Sequence, residues 1–139
     1  MKLGDYLILI VDDEPNMCNI LQRIMKNEGY QVQTASDGKT ALQLVSEKAP
    51  HLLLLDVMMP GGKDGFSVFR DLRNDPGTRS IPVVFLTAVN KAMGLSFTPE
   101  GIGRGLGSEP AAFLEKRVAP DKLLQTVAQV AGLDKPIAK

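Results

Sequence analysis

Apolar residues along this chain fall into blocks that switch period from one to the next. Residues 6–11, YLILIV, form an unbroken apolar run of the kind a strand buried on both faces carries. Pro15 then marks a helix start. Met17, Ile20, Leu21, Ile24 and Met25 recur at helical spacing as far as Gly29, a stop signal. YQVQTA alternates apolar and polar positions and predicts a second strand. Asp37-Gly38 supplies a turn and a cap ahead of Ala41, Leu42, Leu44 and Val45, a second helix. LLLLDV predicts the third strand, and GFSVFRDLRN carries Phe66, Phe69 and Leu72 at helical spacing. IPVVFLTA predicts a fourth strand and AAFLEK a fifth. The last helix, PDKLLQTVAQVAGL, has Pro120 near its start, Leu123, Leu124, Val127 and Val130 on one face, and Gly132 at its end.

Strands that alternate with helices over the whole length predict one α/β domain, residues 1–139 with a core of about 6–132, built on a parallel sheet with helices on both faces. Sheets of this kind collect ligands outside the carboxyl ends of their strands, at a switch in strand order. Asp12 and Asp13 close the first strand, Asp56 the third, Thr87 the fourth and Lys116 the fifth. A doubly wound sheet therefore brings three carboxylates, a hydroxyl and an ammonium to one rim.

Composition narrows what that rim can do. The chain is 44% hydrophobic with a formal net charge of zero and no basic run, so no nucleic-acid or anionic membrane surface is expected. One cysteine, Cys18, rules out an internal disulfide, and the apolar start is cut short by Asp12 and Asp13, so a cytoplasmic protein is expected. Three carboxylates at one spot repel unless a cation intervenes, and a hard, oxygen-loving Mg²⁺ answers that best. Carboxylate, metal, lysine and hydroxyl together suit phosphoryl transfer. The carboxylate serves as nucleophile, the metal and Lys116 stabilise charge on the phosphoryl oxygens, and Thr87 donates to the group once it arrives.

LILIVDDEPN, LLLLDVMMPG, VVFLTA and FLEK, in this order, resemble the receiver domain of bacterial two-component response regulators. The resemblance implies a flavodoxin-like, five-stranded parallel sheet of order 2-1-3-4-5. It implies phosphorylation of an aspartate by a sensor histidine kinase or a phosphotransfer protein, with switching of an unidentified output partner. Carried over residue by residue, Asp56 is the phosphoacceptor, Asp12 and Asp13 are the acidic pair that holds Mg²⁺ with Asp56, and Met58 lends a backbone carbonyl to the metal. Thr87 takes the switch hydroxyl, Lys116 the lysine, and Phe113 the switch aromatic. As such the chain is a stand-alone receiver or a piece of a longer regulator.

The chain departs from that pattern in three places. Arg117 follows Lys116 where the family has proline, so a trans peptide is expected there, because a non-proline cis bond costs about 2.5–4 kcal/mol. PGGKDG is about one residue longer than the usual loop. Residues 88–110 are rich in glycine and proline, which predicts an irregular or missing fourth helix and makes residues 90–110 a candidate output element. Two other functions compete. One is an interaction module of the same fold that uses no phosphate. The other is an aspartyl-phosphate phosphohydrolase like the haloacid-dehalogenase enzymes, which need a second acid two residues after the nucleophile; Val57 and Met58 follow Asp56 instead. His51 reads as a solvated loop residue and Cys18 as a small helix residue without chemistry.

Overall fold

Side-chain parity along the strands decides how this sheet is covered. The computed structural model describes residues 3–57, 65–87, 111–115 and 119–132, the side chains of Leu3 and Thr87 excepted. Within them run β1 (Leu7–Val11), α1 (Pro15–Glu28), β2 (Gln31–Ala35), α2 (Gly38–Glu47), β3 (Leu52–Asp56), α3 (Gly65–Asn74), β4 (Val83–Thr87), β5 (Ala112–Glu115) and α4 (Pro120–Ala131). The strands form one parallel sheet of order β2-β1-β3-β4-β5, the doubly wound order that the receiver-domain resemblance implies.

Successive residues of a strand point to opposite faces, so an all-apolar strand feeds two cores at once. Leu9, Val11, Leu53, Leu55, Val83 and Phe85 pack with Ala41 and Val45 of α2 and Val68, Phe69 and Leu72 of α3. The alternate set, Ile8, Ile10, Leu52, Leu54, Val84 and Leu86, packs with Met17, Leu21 and Met25 of α1 and Leu123 and Val127 of α4. The four leucines before Asp56 are therefore two pairs facing opposite ways in a central strand. Each buried side chain contributes about 1.5–3 kcal/mol over leaving it in water.

The helix ends follow their local chemistry. Pro15 and Pro120 occupy first-turn positions, where a missing N–H costs nothing. Gly29 and Gly132 close α1 and α4 in the left-handed region, at φ 119° and 78°, and their N–H groups reach back to carbonyls of the last turn. Asp37 caps α2 by accepting the Thr40 N–H at 2.7 Å.

Two readings of the sequence need correction. Ile20 is not part of the buried face of α1; it is 53% exposed. The helix rests on the stripe Met17, Leu21, Met25, each four residues on, and Ile20 falls outside it. His51 is not a solvated loop residue. It is half-buried, its Nδ1 accepts the Leu7 N–H at 2.9 Å, and its ring stacks on Tyr6 at 5.0 Å. It pins β1 to the start of β3 at the end of the sheet opposite Asp56. Tyr6, packed there against Tyr30, has its phenol pKa pushed up to about 12 by burial and by Tyr30. The expected irregular segment 88–110, residues 58–64 and the Lys116–Arg117 peptide lie outside the described residues.

Candidate functional site

The register of the sheet assembles the rim. Val11 pairs with Leu55, so the next residues, Asp12 and Asp56, emerge side by side from adjacent central strands. Asp56 pairs with Leu86 and Thr87 with Glu115, which puts Thr87 at the end of β4, one step beyond the partner of Asp56. Lys116 follows the last described residue of β5; it and Met58 lie outside the described residues.

Asp12 and Asp56 are the buried charged residues of the described chain, each about 1% exposed, while Asp13 is exposed. One carboxylate oxygen from each of the three lies within 4.8 Å of the other two. The turn that holds Asp12 is built locally. Its N–H donates to Ala35 O at 3.1 Å, and its Oδ1 accepts the Glu14 N–H at 2.9 Å just ahead of Pro15. That bond satisfies an N-terminal donor of α1 and fixes the carboxylate in the same stroke. Cys18 is not inert in this respect. Its Sγ–H donates to Asp12 O at 3.2 Å, a tertiary bond that a lone cysteine on a helix does not advertise.

Asp56 is held through the peptide that follows it. Val57 N–H donates to Leu86 O at 2.9 Å, and Val57 O accepts Gly65 N–H at 2.9 Å. The first residue of α3 thus sits directly against the acceptor strand. The sequence alone marks Gly65 only as the first residue of the GFSVFRDLRN helix.

The donor set fits a hard cation. All three side chains offer carboxylate oxygen, and Mg²⁺ favours such ligands together with retained water. Two of the three are buried where an uncompensated charge is expensive, and the exposed Asp13 has a carboxylate oxygen within 4.8 Å of theirs. Beside the acids a hollow of about 340 Å³ opens between α1, β2 and α2, lined by Asp12, Asp13, Cys18, Asn19, Ser36 and Thr40 among others. Phe113 stands further from the rim. It pairs in register with Phe85, is half-buried, and its ring lies 5.6 Å from that of Phe85, which also meets Phe66 and Phe69 edge-on. No helix among the described residues is long and apolar enough to cross a membrane.

Comparison with known proteins agrees with this fold. The response regulator receiver domain model matches residues 8–128. Response regulator PleD of Caulobacter vibrioides (strain NA1000 / CB15N) is 49% identical over 83 residues, which cover 60% of this chain and 18% of that protein. The chain therefore spans under a fifth of the length of the curated relatives it matches. Chemotaxis protein CheY4 of Vibrio cholerae superposes with a TM-score of 0.76 at 26% identity, over 90% of this chain and 98% of that one. The signal receiver domain of a signal transduction histidine kinase from Syntrophus aciditrophicus gives 0.76 at 29% identity, over 96% of each chain.

Proposed function

The chain belongs to the response regulator receiver domain family, and from that premise we propose that it is a phosphoacceptor signalling domain modified on Asp56 in a Mg²⁺-dependent reaction. The observation that carries this is the carboxylate trio, within 4.8 Å, with Asp56 buried at the end of a central strand. Asp12, Asp13 and Asp56, with the Met58 carbonyl, would hold the ion, which when bound supplies positive charge to the phosphoryl oxygens. An Asp56 carboxylate oxygen attacks the phosphorus of a phosphohistidine on a sensor kinase or phosphotransfer protein. The new O–P bond gives an acyl phosphate, the P–N bond breaks, and the imidazole leaves and takes up a proton. Lys116, carried by the chain just after β5, balances the added charge, and Thr87 donates to the phosphoryl group.

In this reading the domain catalyses at most its own phosphorylation and dephosphorylation, in the cytoplasm, and its product is a changed affinity for an output partner. Phe113, ring to ring with Phe85, and residues 90–110 are the elements we assign to that switch. Incubation with Mg²⁺ and acetyl phosphate, followed by intact mass, tests the assignment. The native chain gains one phosphoryl group, Asp56→Asn gains none, and a chelator abolishes the gain. Uptake that persists in Asp56→Asn would move the acceptor elsewhere. A native chain that takes up nothing from acetyl phosphate or a phosphohistidine donor would favour the phosphate-independent module.

A further inference from the structure

The first residue of α3, Gly65, stands against the peptide that follows Asp56, with its N–H donating to Val57 O at 2.9 Å. A β-carbon built on Gly65 would overlap the carbonyl oxygen of Asp56 and stand 2.9 Å from Val57 Cα and 3.0 Å from the carbonyl carbon of Asp56. These are backbone atoms that cannot swing aside as a side-chain end could. Conformation does not explain the glycine: the described glycines with positive φ are Gly29 and Gly132, and Gly65 is not one of them. What requires it is the space beside the Asp56–Val57 peptide.

That peptide is clamped from two sides, by Leu86 O on the Val57 N–H and by the Gly65 N–H on Val57 O. We propose that Gly65 is a positioning residue for Asp56: its missing side chain lets α3 dock on the acceptor strand and so fixes the carboxylate opposite Asp12 and Asp13. This rests on the function proposed above. Neither partner can yield cheaply to an added methyl group. Asp56 sits in a strand paired on both sides, and α3 is anchored by Val68, Phe69 and Leu72, which are at most 1% exposed in a close-packed core. The strain is therefore shared, and part of it falls on the peptide that carries Asp56. A shift of order 1 Å at a reacting group costs up to roughly a hundredfold in rate.

The test compares Gly65→Ala with Gly77→Ala, whose added methyl would meet only the Asp75 side chain at 3.5 Å. Phosphorylation by acetyl phosphate at saturating Mg²⁺, expressed per folded molecule, is expected to slow by at least about tenfold in Gly65→Ala and to stay at the native rate in Gly77→Ala. Mg²⁺ affinity falls in the first variant alone. A merely structural glycine would lower stability and leave both readouts untouched, and equal rates in folded Gly65→Ala would overturn the proposal. If the native chain takes up no phosphate, the function above fails. Mg²⁺ affinity then decides the positioning role, and an affinity unchanged by Gly65→Ala overturns it. Should Gly65→Ala not fold, the native chain supplies the measurement. On addition of Mg²⁺ and beryllofluoride the Gly65 amide resonance moves with those of Asp56 and Val57, and a silent Gly65 amide beside moving neighbours refutes the coupling.

Discussion

His51 shows how much one side chain can hold when it replaces a backbone acceptor. Its Nδ1 takes the Leu7 N–H, which requires the neutral ring with its proton on Nε2. Leu7 is 3% exposed, so without His51 that N–H has no ready access to water. We expect His51→Ala to lower stability by about 1–3 kcal/mol, the usual cost of an orphaned buried donor. Urea unfolding should show a lower midpoint at unchanged slope, and His51→Asn, which keeps an acceptor, should recover part of the loss. A loss within a few tenths of a kcal/mol in His51→Ala would mean that water reaches the amide. None of this was legible in the sequence, because the partner lies 44 residues away. Gly65 was hidden for the same reason: the atoms that exclude a side chain there belong to Asp56 and Val57, across a loop. Asp12, Asp13 and Asp56 were legible because strand-end position follows from apolar runs, and the sheet's switch in order does the rest.

Helix boundaries were the most readable elements, since their causes are local. Asp37 is the clearest. Its carboxylate accepts the Thr40 N–H, and the pKa is held below the ordinary 3.8, chiefly by that backbone bond, then by the Thr40 side chain, with Lys39 adding a favourable charge. The charged form is therefore the one that folding favours. Its contribution is complete above the unfolded value and is lost as pH falls through the lower folded value. We expect a plot of stability against pH to show a decline below about pH 4 that is shallower in Asp37→Asn, which still caps but does not titrate. Identical acid slopes in the two chains would show that the cap does not depend on charge. The buried face of α1 was less readable. Period alone counts Ile20 with Met17, Leu21 and Met25, but the width of the stripe is set by how the helix lies on β1 and β2, which is a property of the packed pair.

At the scale of the molecule, the carboxylate trio sets a competition between stability and readiness to bind. The fold buries Asp12 and Asp56 and leaves Asp13 exposed within reach of both. Repulsion among the three charges works against folding, and a bound cation would offset it. A ligand that binds only the folded state stabilises it by mass action, about 2.7 kcal/mol at a hundredfold excess over Kd. For a chain of this size that is a rise of roughly 10 °C in Tm. We therefore expect the Tm of the native chain to climb with Mg²⁺ and, above Kd, to go on climbing with the logarithm of its concentration, with no such climb when the added cation is monovalent at equal ionic strength. Asp13→Asn should behave in the opposite way at the two ends of the titration. It removes a like charge, so its Tm without Mg²⁺ lies above that of the native chain, and it removes a ligand, so its Tm hardly moves when Mg²⁺ is added. The two curves then cross. A native Tm indifferent to Mg²⁺ would mean that the trio holds no ion. Parallel curves would mean that Asp13 is a bystander and that Asp12 and Asp56 do the binding with other ligands. Crossing would tie the exposed acid to both halves of the competition, because only a residue that repels in the empty site and ligates in the filled one reverses the order of the two proteins.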